Sequence, residues 1–289
     1  MKTLLLIDAN SLIHRCFHAL PPFSGPDGQP TGSLYGLSNV LLKILREQTP
    51  DYMAAFFDRP EPTFRKEIFE EYKIHRPKAP DELVSQIIEA RNLFFAFGIK
   101  TYELAGFEAD DLIGSTASNF KKTPDLKIMI LTGDLDMLQL IEDDKVAVET
   151  FKKGVSETII YNEEGVEKRY DGIKPNQIPD YKGLVGDVSD NILGVPGIGP
   201  KTAAPIIKEY ETLENFLENG QLNKNFPKIL KFKNQALMSK KLGTIRRDAP
   251  FDIKNISELE YRDLPKENLV SYFGKLGFKS LINRINLLS

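Results

Sequence analysis

A single cysteine, Cys16, and no tryptophan occur in 289 residues, and histidine is confined to His14, His18 and His75. One cysteine excludes an internal disulfide framework, and so few Cys and His side chains nearly exclude a Cys/His zinc site. Long hydrophobic runs are missing too. The run Leu4-Leu5-Leu6-Ile7 stops at Asp8, too short for a signal-peptide core or a membrane span, and reads as a buried first strand. No internal repeat or low-complexity stretch stands out. With 41% hydrophobic and 27% charged residues, usage is ordinary for a globular protein, which excludes disorder and collagen-like repeats. A chain this long can bury a sizeable core without disulfides or a structural metal, as one large domain or two modest ones. These absences together describe a reduced, cytoplasmic protein with no membrane association.

The formal net charge is only −3, from 38 Lys+Arg against 41 Asp+Glu. Residues 191–289 nevertheless carry 16 basic and 10 acidic side chains, net +6, leaving −9 on the remainder. A basic C-terminal third beside an acidic N-terminal part points to a polyanion grip next to a cation site.

Up to about residue 150, short aliphatic or aromatic runs at 3–7, 52–57 and 127–131 alternate with helical patterns. Leu34, Leu37, Val40, Leu41, Ile44 and Leu45 recur at helical spacing and end before Pro50. Such alternation predicts parallel βαβ units. From about Pro175 helical signals dominate, at 201–210, 212–217, 227–242 and 266–273. The expected fold class is therefore α/β, a mostly parallel central sheet flanked by helices, over residues 1–174. An α-helical region follows at 175–289. Residues 59–80 mix aromatics with Arg and Lys and contain four prolines. Such a run is either a solvated connection or a strand-binding element in which aromatics stack bases and cations meet phosphates.

Acids fall where the predicted strands end: Asp8 after the first, Asp58 after the second, and Asp134 after the third across Thr132-Gly133, with Asp136 two residues on. In parallel sheets, ligand sites lie beyond the carboxyl ends of the strands. Glu108-Ala109-Asp110-Asp111 opens a predicted helix, and Asp187 and Asp190 would share a face if that turn is helical. Nine acids brought together unpaired would repel and raise one another's pKa. Divalent cations would neutralise them, and carboxylate-only ligands favour Mg²⁺ or Mn²⁺ over zinc. Such a site suits two-metal phosphodiester hydrolysis, with ions roughly 4 Å apart.

A glycine-rich stretch follows: Asp190-Asn191-Ile192-Leu193-Gly194-Val195-Pro196-Gly197-Ile198-Gly199-Pro200-Lys201-Thr202-Ala203. Gly197 and Gly199 permit a tight turn, Pro200 suits a first helical turn, and the backbone N–H groups with Lys201 can hold a phosphate. Such a contact grips a nucleic-acid backbone and reads no base. It is not a P-loop, because G-x-x-x-x-G-K-[ST] is absent.

These residues resemble the 5′ nucleases, and among them the 5′–3′ exonuclease domain of bacterial DNA polymerase I. The matching stretches are Leu6-Ile7-Asp8-Ala9-Asn10-Ser11; Phe57-Asp58 with Thr63-Phe64-Arg65; Tyr72-Lys73 with Arg76-Pro77; Phe107-Glu108-Ala109-Asp110-Asp111; Thr132-Gly133-Asp134-Leu135-Asp136-Met137-Leu138-Gln139-Leu140; and Gly186-Asp187-Val188-Ser189-Asp190-Asn191 running into the hairpin. They occur in family order and cover most of the chain.

The resemblance implies a PIN-like core and a structure-selective nuclease of DNA replication and repair, cutting near the junction of a 5′ single strand or flap and a duplex. An RNA primer hybridised to DNA is a further candidate substrate. Two Mg²⁺ ions are implied, the first among Asp8, Asp58, Glu108 and Asp110, the second among Asp110, Asp111, Asp134, Asp136, Asp187 and Asp190. Residues 59–97 correspond to a helical arch in which Lys73 and Arg76 act on the scissile phosphate, Tyr72 stacks an unpaired base and Arg65 contacts DNA. Residues 190–210 correspond to a helix-three-turn-helix. By the resemblance it would set Gly197, Ile198, Gly199, Pro200, Lys201 and Thr202 against the duplex, and it would hold K⁺ on the carbonyls of Leu184, Val185, Leu193, Val195 and Ile198.

Where polymerase I relatives usually have Lys or Arg between the paired aspartates, this chain has Leu135. No polymerase or proofreading region follows before Ser289, so a stand-alone nuclease and a domain of a longer product both remain open. A nuclease-dead scaffold would lack acids, and none of the nine is missing. A small-molecule phosphatase would want Asp-x-Asp at the first strand end, where Asp8-Ala9-Asn10 stands. Nothing suggests an obligate oligomer, so a monomer is expected.

Overall fold

Alternation along the first strand, β1 (Lys2–Asp8), decides the layering. Leu4 and Leu6 enter one apolar core, Leu5 and Ile7 enter the other, and all four are fully buried. A computed structural model describes residues 1–250 and 253–286. β2 (Tyr52–Phe56), β3 (Lys100–Tyr102), β4 (Leu126–Leu131), β5 (Val146–Lys153) and β6 (Glu157–Tyr161) complete a six-stranded sheet of order β3-β2-β1-β4-β5-β6. Every pairing is parallel except β5 with β6. Strands covered on both faces need apolar residues at every position, which is why they read as continuous runs in the sequence. The chain fills one side of β1 with β2 and β3, then crosses to the other side for β4. The switch between β1 and β4 opens a crevice at the carboxyl ends of the strands.

Helices α1 (Ala9–Ala19), α2 (Gly32–Gln48) and α4 (Asp81–Ala96) cover one face, with the short α3 (Phe64–Ile68) between α2 and α4 in sequence. α5 (Ala109–Phe120) covers the other face, and α6 (Glu163–Arg169) and α7 (Ile178–Val185) follow. A two-residue hairpin of β7 (Gly186–Asp187) and β8 (Ile192–Leu193) leads into α8 (Pro200–Tyr210), α9 (Leu213–Asn219), α10 (Phe226–Lys231) and α11 (Lys233–Gly243). α12 (Lys266–Leu276) and α13 (Lys279–Asn286) close the chain. Among the described residues no helix is long and apolar enough to cross a membrane.

The structure departs from the sequence expectations at four places. The helix expected over 227–242 is two, broken at Phe232 (φ −106°, ψ 20°), whose ring packs on the core between them. The last two helices return to the first domain: Leu269, Phe273, Leu276, Leu281 and Ile285 join Leu34, Leu37 and Phe94 in one core, so residues 266–286 belong with the sheet. The expected arch is shortened, because α4 buries Leu83, Ala90, Leu93 and Phe94 against the same core, leaving residues 59–80 as the segment above the crevice. Asp187 and Asp190 share no helical face; Asp187 ends β7 and Asp190 lies in the turn after it.

Close backbone approach fixes the β7–β8 hairpin. A Cβ on Gly194 would stand 2.2 Å from the Val185 carbonyl carbon and 2.5 Å from the Gly186 nitrogen, whereas one on Gly199 would meet nothing within 4 Å. Gly194→Ala should therefore lower unfolding free energy by about 1–3 kcal/mol, as overpacking does. Gly199→Ala should stay within about 1 kcal/mol, the loss of a mediocre N-cap. Urea titration of both variants checks the pair, and equal effects would show that the hairpin tolerates rearrangement.

Candidate metal centre

Each acid reaches the crevice by a local device. Asp8 is the last residue of β1 and the N-cap of α1; its carboxylate accepts from Ser11 N–H at 3.2 Å and from Thr132 Oγ1 at 2.7 Å. Thr132 Oγ1 in turn accepts from Asp134 N–H at 2.9 Å, which ties the ends of β1 and β4 together. Asp58 accepts from Ala109 N–H at 2.8 Å at the start of α5. Glu108 caps that helix, and Asp110 sits in its first turn. Asp134 caps the 3₁₀ segment Leu135–Leu140 by accepting from Asp136 N–H at 2.9 Å.

Eight of the nine acids (Asp8, Asp58, Glu108, Asp110, Asp134, Asp136, Asp187 and Asp190) line one cavity of ≈ 480 Å³, together with Lys73 and Arg76. The sequence expectation is corrected at Asp111. It is fully buried outside this cavity, bonded twice by Arg65, at 2.7 and 2.9 Å, once by Arg246 N–H at 2.9 Å and once by Glu108 N–H at 3.2 Å. With every lone-pair direction occupied, it braces the fold.

Two expected DNA contacts are likewise corrected. Arg65 is 1% exposed, and its guanidinium also donates to the carbonyls of Leu242 and Thr244. Burial disfavours its charge, but Asp110, Asp111 and Glu108 together hold its pKa well above the ordinary value. Tyr72 is 3% exposed and donates towards Glu108 at 3.3 Å and Asp190 at 3.1 Å, so its ring is not free to stack a base.

Lys73 and Arg76 do lean over the acids. Lys73 Nζ stands 2.6 Å from Glu108 Oε2, and Arg76 Nη2 stands 2.5 Å from Asp190 Oδ1. Lys73 takes a left-handed backbone (φ 57°), a strained choice for a non-glycine residue, and its N–H donates to the Asp190 carbonyl at 2.9 Å. Sequence reasoning missed Lys182, which bonds Asp136 and, at 2.7 Å, Asp187. It also missed His14, Arg15 and His18, which line the cavity from α1. The only signal for Lys182 was its place five residues before Asp187 on a helix pointing at the site.

Of the expected K⁺ carbonyls, Leu184 accepts from Val195 N–H at 2.8 Å, Leu193 from Ser239 Oγ at 2.5 Å and Val195 from Ile198 N–H at 3.0 Å. The hairpin residues expected against the duplex include exposed Gly197, Pro200 and Lys201 around buried Ile198; Gly199 caps α8, Pro200 opens it, and Thr202 follows in its first turn.

The electrostatics sort the acids into two groups. Burial first, then the Asp58 charge, pushes Asp8 up to about 6. Burial and Asp134 push Asp136 up to about 6 despite Lys182. Burial also raises Asp58, Asp134 and, well above its ordinary value, Asp110. In the other group, Lys73 and Arg65 outweigh burial to lower Glu108, and Lys182 outweighs it to hold Asp187 down at about 2. Among the described residues no three Asp, Glu, His or Cys side chains converge closely enough to grip an ion as they stand. Glu108, Asp190, Asp136 and Asp187 are instead turned to their own lysines and arginines. The remaining donors fit hard divalent cations: they are oxygen only, and burial leaves them short of positive charge.

Two outcomes follow from these partners. Arg65→Met should cost about 3–5 kcal/mol of stability by leaving the buried Asp111 carboxyl without its guanidinium partner. Denaturant unfolding without DNA measures this, and a loss seen only in DNA binding would restore Arg65 to the interface. The second concerns pH. Asp8 and Asp136 titrate near 6 when folded and near 4 when unfolded, so the metal-free fold binds more protons between those values. That contribution is present at low pH and is lost as pH rises through about 6. A cation neutralises the ionised pair, so the gain in Tm from Mg²⁺ should be larger at about pH 8 than at about pH 5. Equal gains would place the ion elsewhere.

Known proteins are similar to this chain in sequence and in fold. Residues 3–171 match the family description "5′-3′ exonuclease, N-terminal resolvase-like domain", and residues 173–267 match "5′-3′ exonuclease, C-terminal SAM fold". The chain is 42% identical to DNA polymerase I of Bacillus subtilis (strain 168) over 98% of its own length and 32% of that protein's. It is 35% identical to a 5′-3′ exonuclease of Aquifex aeolicus (strain VF5), over 99% of this chain and 96% of the relative. It thus spans about a third of the polymerase relatives and nearly all of the exonuclease. Among solved structures, T5 5′-exonuclease with bound divalent metal ions (zinc) has a TM-score of 0.67 at 20% identity, over 98% of this chain and 97% of that one. The catalytic core of Rad2 in complex with a DNA substrate has a TM-score of 0.62 at 19% identity, over 99% and 92%. At those identities the likeness concerns the fold, whereas the family matches cover most of the sequence. The chain belongs to the 5′-3′ exonuclease family.

Proposed function

We propose that the chain is a metal-dependent 5′–3′ exonuclease and 5′-flap endonuclease that hydrolyses DNA phosphodiesters where a 5′ single strand meets a duplex. One observation carries the proposal: buried, charge-starved carboxylates at the β1/β4 switch lie beneath two cations from a single overlying segment. Asp8, Asp58, Glu108 and Asp110 would hold one Mg²⁺. Asp110, Asp134, Asp136, Asp187 and Asp190 would hold a second, partly through water. Bound there, the ions supply an activated water and stabilise the leaving oxygen, and no covalent protein nucleophile is needed.

The chain's own residues do the rest. Thr132 and Ser11 orient Asp8, and the start of α5 orients Asp58. Lys73 and Arg76 exchange their carboxylate partners for the oxygens of the scissile phosphate, as charge-assisted donors can. The hairpin holds the duplex backbone through N–H groups at the start of α8 and through Lys201. A K⁺ there would use the second lone pairs of the Leu184, Leu193 and Val195 carbonyls, with those of Val185 and Ile198. The family membership and the Aquifex aeolicus relative's name support the exonuclease reading; the metal-bound T5 protein supports the ions.

Asp134→Asn keeps an oxygen for the Asp136 N–H but removes a charge from the cluster. Cleavage of a 5′-flap duplex in Mg²⁺ should fall by more than about a hundred-fold, beyond the loss typical of groups that merely support a metal ligand. Circular dichroism and flap binding should stay near wild type. Cleavage at the wild-type rate, or cutting that survives EDTA in the parent protein, would sink the metal assignment.

A further inference from the structure

The basic charge of the C-terminal third is larger than the hairpin accounts for. Residues 221–241 contain six lysines and no Asp or Glu. Lys240 is used internally, paired with Asp180 and Glu214. Lys228, Lys231 and Lys233 are exposed, and among the described residues they form no ion pair. Lys228 and Lys231 lie three apart on α10 and share a face. Lys231 and Lys233 flank an open cavity of ≈ 430 Å³ bounded by residues 230–235 at the junction of α10 and α11.

This surface is tied to the hairpin. Lys228 Nζ lies 3.1 Å from where a Cβ on Gly197 would stand, at the tip of the turn. Gln235 Nε2 donates to the Gly194 carbonyl at 2.5 Å, and Ser239 Oγ donates to that of Leu193. Exposed lysines with no acid within the same stretch raise the local positive potential, and such a surface attracts a polyanion. We propose that Lys231 and Lys233, continuing from Lys228 at the hairpin tip, form a second phosphate-binding surface that takes the backbone of the duplex arm beyond the reach of the hairpin, a contact that rests on the nuclease reading above. A duplex fits better than a single strand. Single-strand grooves present several aromatic faces for successive bases to stack on, whereas the lining here has the one half-buried ring of Phe232, which packs on the core and has Lys231 Nζ 5.7 Å from its centre.

The test is equilibrium binding of the full chain in EDTA to flap DNA with duplex arms of about two helical turns or about half a turn. Wild type is compared with Lys231→Ala/Lys233→Ala and with Lys231→Arg/Lys233→Arg. On long arms the alanine pair should lower the salt slope by about 1.8, two contacts at about 0.9 each. Wild type should then lose about 12-fold more affinity than the variant between about 50 and 200 mM salt. The arginine pair should keep the wild-type slope, and on short arms all three proteins should agree within about two-fold. An unchanged slope on long arms, or an equal loss on both arm lengths, overturns the second surface. Wild-type cleavage in Mg²⁺ on the same DNA separates the two readings. A protein that binds with the lysine-dependent slope but does not cut keeps the surface and loses the nuclease, and one that cuts with an unmoved slope does the reverse.

Discussion

Burying like charges at one end of the sheet is the constraint on which the rest of the structure depends. Asp8, Asp58, Asp110, Asp134 and Asp136 are all pushed towards protonation by burial, and several worsen one another. Carboxylates so placed must find donors, cations or protons. The first strand end answers with hydroxyls, Thr132 and Ser11. The α5 N-terminus answers with backbone N–H groups and the helix dipole. What these leave unsatisfied is met by basic side chains drawn from distant parts of the chain. The architecture around the crevice is largely the geometry of those answers.

That origin explains why residues 59–80 are ordered above the site. Arg65 reaches beneath α5 to Asp111, Tyr72 bridges Glu108 and Asp190, and Lys73 and Arg76 each hold one acid. The same contacts join the segment to the β7–β8 turn, which supplies Asp190. Lys182 closes the opposite side by joining Asp136 to Asp187. Leu135, where a basic residue is expected from the resemblance, packs on the core. Asp136 takes its positive partner from α7, where Lys182 pairs with it.

Much of this was legible, for physical reasons that also mark the limits. Parallel strands buried on both faces leave continuous apolar runs, so β1, β2 and β4 could be located from sequence to within a residue. Acids immediately after such runs are forced to the crevice by the topology, and Asp8, Asp58 and Asp134 arrive there. Long-range pairing leaves no such trace. Arg65 and Tyr72 sit in a charged, aromatic stretch that reads as exposed, yet both are buried because their partners are acids 35 or more residues away. Asp111 reads like its neighbour Asp110, and only the direction of one helical turn separates a cavity-lining acid from a core brace. The return of α12 and α13 to the first domain was equally invisible, since an amphipathic helix does not state which face it will cover.

The separation of charge has a mechanistic consequence. Without its cations, a crevice rich in carboxylates repels a polyanion, so on the proposed function much of the affinity for a nucleic acid would come from elsewhere on the surface. It would come from surfaces far enough away to escape that field, at distances comparable to the Debye length of about 8 Å in physiological salt. The acid-free stretch at 221–241 contributes no residue to the lining of the acidic cavity, and α11 joins it to the hairpin through Gly194 and Leu193. On the proposed function, Lys73 and Arg76 would act at short range only once a duplex is held, when a phosphate could displace their carboxylate partners. The proposed function would thereby assign grip and hydrolysis to different elements of the fold, so that substitutions in one need not disturb the other.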